Sequence, residues 1–349
     1  MSERLTTPPS PPTPLRVERL PLARVRAEAA DGHPAPFAAL AYGAIGHEPW
    51  MTGVNAHVLL EAQPQADVWR AGPAVQSGTT GVVRWRTDGH WLLGVVDLSA
   101  ADEAGGLEAL AHRAYANVFQ TLARAGCPHL LRLWNYLPRI NAEGHGLERY
   151  REFNAGRQQA FLDAAYAAFD GAPAACALGI RDGGLCVRFL AGRAPPVPVE
   201  NPRQVSAYRY PERYGPRAPT FSRAALAQLG GGEVALFVSG TASIVGHETV
   251  HAGDVPAQVA ETLVNLRTVI GEAGRRTTAR FALEDTEPVV YVRHPADAEG
   301  IRRQLAEALG ADSRFMRSAV FLEADICRAD LLVEIETHAT ARGSLAPSP

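Results

Sequence analysis

The chain contains no lysine; all 34 of its basic residues are arginine. That absence excludes chemistry through a lysine amine, including Schiff-base and pyridoxal phosphate catalysis. It also excludes the phosphate loop whose lysine reaches the terminal phosphates. No apolar run approaches the roughly 20 residues that cross a bilayer. The N-terminus, MSERLTTPPSPPTPL, lacks a charged start followed by an apolar core, so it does not read as a secretory signal. Its proline content marks residues 1–15 as an extended or disordered leader. A cytoplasmic protein is the expectation. The four cysteines, Cys127, Cys176, Cys186 and Cys327, have no CxxC spacing and are expected as free thiols. The net charge is only −3, without the basic excess that a general nucleic-acid surface needs.

What is present is ordinary globular sequence, 46% hydrophobic and 20% charged. At 349 residues it is too long for one ordinary core, which implies two units. Short strand-like runs, FAALAYG, HVLLEA, VVRWR and HWLLGVVDL, fill the region from Leu20 to Val96. Apolar residues at three- and four-residue steps predict helices over Glu108 to Ala125, Leu147 to Phe169, Val255 to Ala273 and Asp297 to Leu309. Gly156 weakens the second of these as an unbroken helix. CALGI and LCVRFLAG flank RDGG, a hairpin signal. The Pro-rich stretch APPVPVENPRQ places a boundary there, giving units 16–194 and 195–349. The order of elements fits an α+β fold with mixed sheets and helices packed on one face.

The stretch Val234 to Leu266 joins a strand, a small-residue turn (Ser239, Gly240, Thr241, Ala242, Ser243), a polar loop and an amphipathic helix. Within it His247-Glu248-Thr249-Val250-His251 matches the zinc-protease pattern HExxH. That chemistry needs both histidines on one helical face. Here Gly253, Asp254 and Pro256 leave about one turn, too short for a stable helix, so a polar loop without metal is expected. Arg139, Tyr150, Arg157, Tyr208, Tyr214, Arg217 and Arg223 cluster about the boundary in sequence. Individually each reads as a surface residue or an ion pair. Together they suggest a pocket for a planar anion, since arginine forks onto carboxylates and tyrosine offers a hydroxyl on a flat apolar body. Glu334 lies in LLVEIE, where alternation sets it with Leu332 and Glu336, opposite Leu331, Val333 and Ile335. Periodicity favours a solvent-facing glutamate; enclosure among apolar neighbours would instead keep it protonated as a general acid.

Three stretches, LFVSGTASI, GDVPAQVAETLVNLRTVIGEAG and VFLEADICRADLLVEIE, resemble the YjgF/RidA family. A longer set, LWNYLPRIN, GLERYREFNAGRQQAF, SAYRYPERYGPRAPTFSRA, LFVSGTASIVGHETVH and LLVEIE, resembles the chorismatase family, FkbO/Hyg5-like. This resemblance implies two YjgF/RidA-like, chorismate-mutase-like halves, with the site mostly in the C-terminal one. It implies chorismate as substrate, pyruvate as one product and Glu334 as a protonated acid, with no cofactor and no metal. Gly240 and Cys327 resemble the 3-hydroxybenzoate synthase branch rather than the hydrolase branch. Carried onto this chain, the substrate-binding set is Arg139, Tyr150, Arg157, Tyr208, Tyr214, Arg217, Ser239, Thr241 and Ala242. Two linked halves would stand in for subunits of an oligomer, so a monomer is expected. The alternatives are a chorismate hydrolase releasing a dihydroxycyclohexadiene carboxylate, a RidA-like imine hydrolase, and a non-catalytic binder of aromatic carboxylates.

Overall fold

A computed structural model describes residues 14–43, 48–54, 56–60, 63–72 and 74–347. Residues 1–13 of the expected leader lie outside the described residues. Its last residue, Leu15, is fully buried and its N–H donates to Leu229 O at 2.9 Å. Two seven-stranded mixed sheets and one four-stranded sheet make up most of the protein.

The two large sheets repeat one topology. The first holds strands Gln76–Thr80, Val83–Thr87, Trp91–Asp97, Cys186–Gly192, His129–Pro138 and Ala174–Ile180, side by side in that order. The second holds Val197–Val199, Ala224–Gly230, Glu233–Ala242, Val333–Arg342, Glu287–Val292 and Val320–Glu323 in the corresponding order. In each, the last two neighbours are parallel and joined through a helix, and the other pairs are antiparallel. Each sheet's parallel edge strand is sealed by a short strand from elsewhere. Asp325–Ile326 pairs with Ala174–Ile180, and His57–Val58 pairs with Val320–Glu323.

The expected hairpin at RDGG does not form. Ala174–Ile180 and Cys186–Gly192 lie on opposite sides of His129–Pro138 and do not pair. The crossover helix before Ala174 sets that strand parallel to His129–Pro138 on its outer side. The glycine turn then carries the chain across the end of the sheet to the inner side.

Helices cover the outer face of each sheet. Leu107–Ala125 buries Leu110, Ala114, Val118 and Leu122 and ends at Gly126 in the left-handed region, φ 64°. Arg149–Asp163 lies across it, shorter than the expected span. Gly156 does not break this helix; it permits the contact. A Cβ there would stand 1.9 Å from the Glu108 carbonyl oxygen. Val255–Gly274 starts where the Asp254 side chain accepts from Ala257 N at 3.0 Å, with Pro256 in the first turn. Ala298–Leu309 packs with it on the second sheet.

The inner faces of both sheets, with Trp69 and Tyr42 of the small sheet and Phe37 just before it, share one core. Strand Val333–Arg342 therefore has no solvent side at its start. Val333 and Ile335 pack toward the helices. Glu334, Glu336 and His338 are 4%, 3% and 8% exposed, at the contact between sheets. The expectation of a solvent-facing Glu334 fails because the polar face of this strand meets a second sheet.

Candidate active site

The passage from strand Glu233–Ala242 to its neighbour Val333–Arg342 contains a register shift between Val238 and Thr241. Gly240 sits in this bulge. An added Cβ would stand 2.0 Å from Glu334 Oε1 and 3.3 Å from Cys176 Cβ. The glycine thus leaves the space that the Glu334 carboxyl occupies. Here opens a cavity of about 310 Å³ lined from both halves. Ala175, Cys176 and Ala177 enter from the first sheet, Tyr150 and Arg157 from the helix above it, and Gly240, Ala242 and Glu334 from the second sheet. The segment after the boundary adds Tyr210, Tyr214 and Arg223, and the loop before the last strand adds Cys327 and Arg328.

The Glu334 carboxyl has no hydrogen-bond partner among the described residues. Burial pushes its carboxyl up to about 8, aided by the Glu336 charge and opposed by Arg132 and Arg223. Burial also pushes the Cys327 thiol up to about 12 and holds the Tyr150 hydroxyl far above its usual range. The thiol and the phenol beside the acid are therefore uncharged.

Three arginines supply positive charge with N–H groups to spare. Arg157 is stacked against Tyr115 and Phe161, its guanidinium carbon 5.2 and 5.6 Å from their ring centres. Its Nε and Nη2 are buried without a partner. Arg223 Nη2 donates to Val205 O and to the Tyr210 hydroxyl, both at 2.8 Å, while its Nε is buried and unpaired. Arg328 lies 4.1 Å over the Tyr214 ring and donates Nη1 to His247 O at 2.9 Å, leaving Nη2 buried and unpaired. Buried donors without acceptors are uncommon in folded proteins and call for a ligand or ordered water. Three such cations around a tyrosine-lined cavity suit an organic anion with more than one carboxylate.

Of the residues singled out in sequence, the cavity gathers Glu334, Cys327, Gly240, Ala242, Tyr150, Arg157, Tyr214 and Arg223. Arg139 is exposed, with φ 53°, and lies outside the lining. Tyr208 packs against Arg209 instead of the cavity, and Tyr210 takes the place expected for it. Arg217 is exposed and reaches only Gln158 and Gln159 at 3.4 Å. The Ser239 hydroxyl is a strap between halves, donating to Ser222 O at 2.6 Å and accepting from Ala175 N at 2.9 Å. Thr241 donates to Ser239 O at 2.8 Å and does not line the cavity. Cys176, Tyr210 and Arg328 were not in the expected set. Arg328 carried a signal, as the residue after Cys327; nothing in YRYPERY singles out Tyr210.

The HETVH motif is not helical. Ile244–Val245 and Glu248–Thr249 form an antiparallel ribbon with His247 in its turn, and His251 has φ 60°. Glu248 is ion-paired with Arg213, and the Tyr214 hydroxyl donates to His247 O at 2.7 Å. The ribbon thereby holds the tyrosine segment over the cavity. Elsewhere, Asp67, Glu287 and His338 bring ligand-type atoms within 4.8 Å of one another. Arg19 already occupies Asp67 there, with bonds of 2.7 and 3.0 Å.

The fold and cavity together describe an enzyme site with a neutral buried acid and a multiply cationic wall. Residues 67–191 match the family described as chorismatase FkbO/Hyg5-like, N-terminal. A chorismatase of Streptomyces rapamycinicus is 40% identical over 314 residues, 84% of this chain and 91% of its own. A 3-hydroxybenzoate synthase of Streptomyces hygroscopicus is 38% identical over 291 residues, 79% of this chain and 81% of its own. A crystal structure of a chorismatase superposes with a TM-score of 0.81 at 32% identity, covering 94% of this chain and 99% of its own. The chain belongs to the chorismatase family, and its α+β architecture is that family's. No helix among the described residues is long and apolar enough to cross a membrane.

Proposed function

We propose that this enzyme converts chorismate into 3-hydroxybenzoate and pyruvate. The observation that carries the reading is the Glu334 carboxyl. It is buried, unpaired and raised to about 8, and it ends in the cavity at the space Gly240 leaves open. At pH 7 such a group is about nine-tenths protonated. It can give its proton to the methylene carbon of the enolpyruvyl ether, which leaves an oxocarbenium ion and a glutamate carboxylate. The neighbouring ring hydroxyl then attacks the ring carbon that bears the ether. The C–O bond breaks, pyruvate departs with the ether oxygen, the hydroxyl proton passes to the Glu334 carboxylate, and an arene oxide remains. Opening of this oxide with loss of a ring proton gives 3-hydroxybenzoate. Atoms balance without water, since the two products together contain the atoms of chorismate.

Arg157, Arg223 and Arg328 offer their free N–H groups to the two carboxylates, and the tyrosines flank the ring. The roles of Gly240 and Cys327 are steric. The glycine leaves room for the acid, and the uncharged thiol fills the facing wall. The match to a 3-hydroxybenzoate synthase at 38% identity supports this product. Matches to relatives named only chorismatase keep hydrolysis as the second reading, in which water adds to the oxocarbenium carbon. Incubation with chorismate and chromatography of the products tests both. Pyruvate with an aromatic acid supports the proposal; pyruvate with a non-aromatic diene diol supports hydrolysis; no pyruvate removes both.

A further inference from the structure

The same strand that presents Glu334 buries a second glutamate two residues on. Glu336 is 3% exposed and lies on the same face. Its two oxygens are taken by donors from the other half. Arg132 Nη2 bonds to Oε2, and Trp134 Nε1 donates to Oε1 at 3.0 Å. Both partners come from strand His129–Pro138, and both are themselves buried. A guanidinium on one oxygen and an indole N–H on the other fill an acceptor site on each oxygen of the group. Arg132 also lies over the Trp134 ring at 5.3 Å, which fixes the pair in place.

Stability alone is a poor reason for this arrangement. A buried ion pair roughly breaks even against apolar residues of the same volume, and the surrounding core is apolar. Within the pair, the Glu336 charge acts on Glu334 more strongly than the opposing Arg132 charge. Several groups share the cavity with Glu334. Arg132 and Arg223 oppose the Glu336 charge; Arg157, Arg328 and the ion-paired Arg151 and Glu148 line the same cavity with Tyr210 and Tyr214; Cys176, Cys327 and Tyr150 are kept neutral by burial.

We infer that Glu336 is a positioning residue for the reaction: clamped as a carboxylate by Arg132 and Trp134 of the opposite half, it keeps Glu334 in its protonated form. The inference rests on the reading of Glu334 as the acid. Side chains two apart on a strand face are about 7 Å apart. At an effective dielectric near 20, a unit charge at that distance moves a titration by roughly 1–2 pH units.

The test reads two quantities as a function of pH. One is the infrared carboxylic C=O band that is present in the wild type and absent from Glu334→Gln. The other is the high-pH limb of kcat for pyruvate release. In Glu336→Gln both should move to lower pH by about 1–2 units. In the doubly neutral Arg132→Gln/Glu336→Gln, which buries no unpaired charge, both should move in the same direction but less. Should the single variant fail to fold, the double variant decides. A folded variant whose band titrates where the wild type does, or at higher pH, overturns the inference. A band that moves while the kcat limb stays supports the control of Glu334 by Glu336 but removes Glu334 as the acid.

Discussion

Replacing Glu334 by glutamine should stabilise the protein at alkaline pH while abolishing its reaction. The carboxyl sits at about 8 in the folded chain, against an ordinary 4.5. A folded-state value above the unfolded one means that the folded chain holds the proton more tightly. The contribution to stability is fully present below about pH 4.5 and is lost as pH rises through about 8. Each pH unit in that window costs the wild type about 1.4 kcal/mol. The loss reaches roughly 3 kcal/mol at pH 7 and on the order of 5 kcal/mol above pH 8. Glutamine has nearly the same shape and does not titrate, so the variant escapes this loss. Denaturant unfolding of both proteins at intervals from pH 5 to pH 9 should show the variant gaining on the wild type throughout. In parallel, kcat should fall by about 100-fold to 10,000-fold, the range expected for a lost general acid. Stability curves that run parallel across that range would refute the reasoning, because the carboxyl would then have been ionised in the folded state all along.

Other outcomes follow from the same geometry. Gly240→Ala places a Cβ 2.0 Å from Glu334 Oε1, so the carboxyl must turn. Pyruvate release should drop by about 100-fold, with diene diol appearing among the products; an unchanged rate and product would clear the glycine of any role. Arg157→Gln removes a cation with two unpaired donors and should lower kcat/KM by roughly 10- to 100-fold without changing the product. Glu287 is the reverse case of Glu334. Burial alone would raise its carboxyl, but His338 and Arg314 overcome this and hold it well below the usual range. Its contribution is present above about pH 4.5 and lost on acidification. Glu287→Gln should thus be less stable than the wild type at pH 7, with the gap closing toward pH 3; a constant gap in denaturant titrations would contradict this. All four thiols are pushed to high values by burial, Cys127 and Cys186 to about 11. Iodoacetamide at pH 8 should leave the native protein unlabelled over a time that saturates the denatured chain, as mass spectrometry would show.

Helices were legible because one face of each meets a core and the other meets water. Leu107–Ala125 begins and ends within a residue of its sequence pattern. Sheet pairing was less so. The chain does bend at RDGG, but the strands around it are separated by a third, because the helix crossover before Ala174 places that strand on the outer side of His129–Pro138. The polar face of Val333–Arg342 misled for a related reason. Alternation shows that two faces differ; it does not show whether the polar one meets water or another sheet. Within the site, Glu334, Gly240 and Arg157 were within reach of the sequence, through apolar neighbours, a small-residue run and the resemblance to a known family. Arg139 and Arg217 belong to the same local patterns yet point elsewhere, and the choice of Tyr210 over Tyr208 depends on a single turn of the segment after residue 206.

The repeated sheets have a consequence for how such a site can change. In the second half, strand Val333–Arg342 presents the buried Glu334 carboxyl. Its topological counterpart in the first half, Cys186–Gly192, has no carboxylate at all. In a ring of identical subunits, one altered codon changes every equivalent position at once. Here both copies of the topology lie on one polypeptide, so each side of the cavity can be altered alone. The second half presents the Glu334 carboxyl together with Arg223 and Arg328; the first contributes Arg157 and the clamp on Glu336. The molecule has exchanged symmetry for two independently adjustable surfaces facing a single substrate.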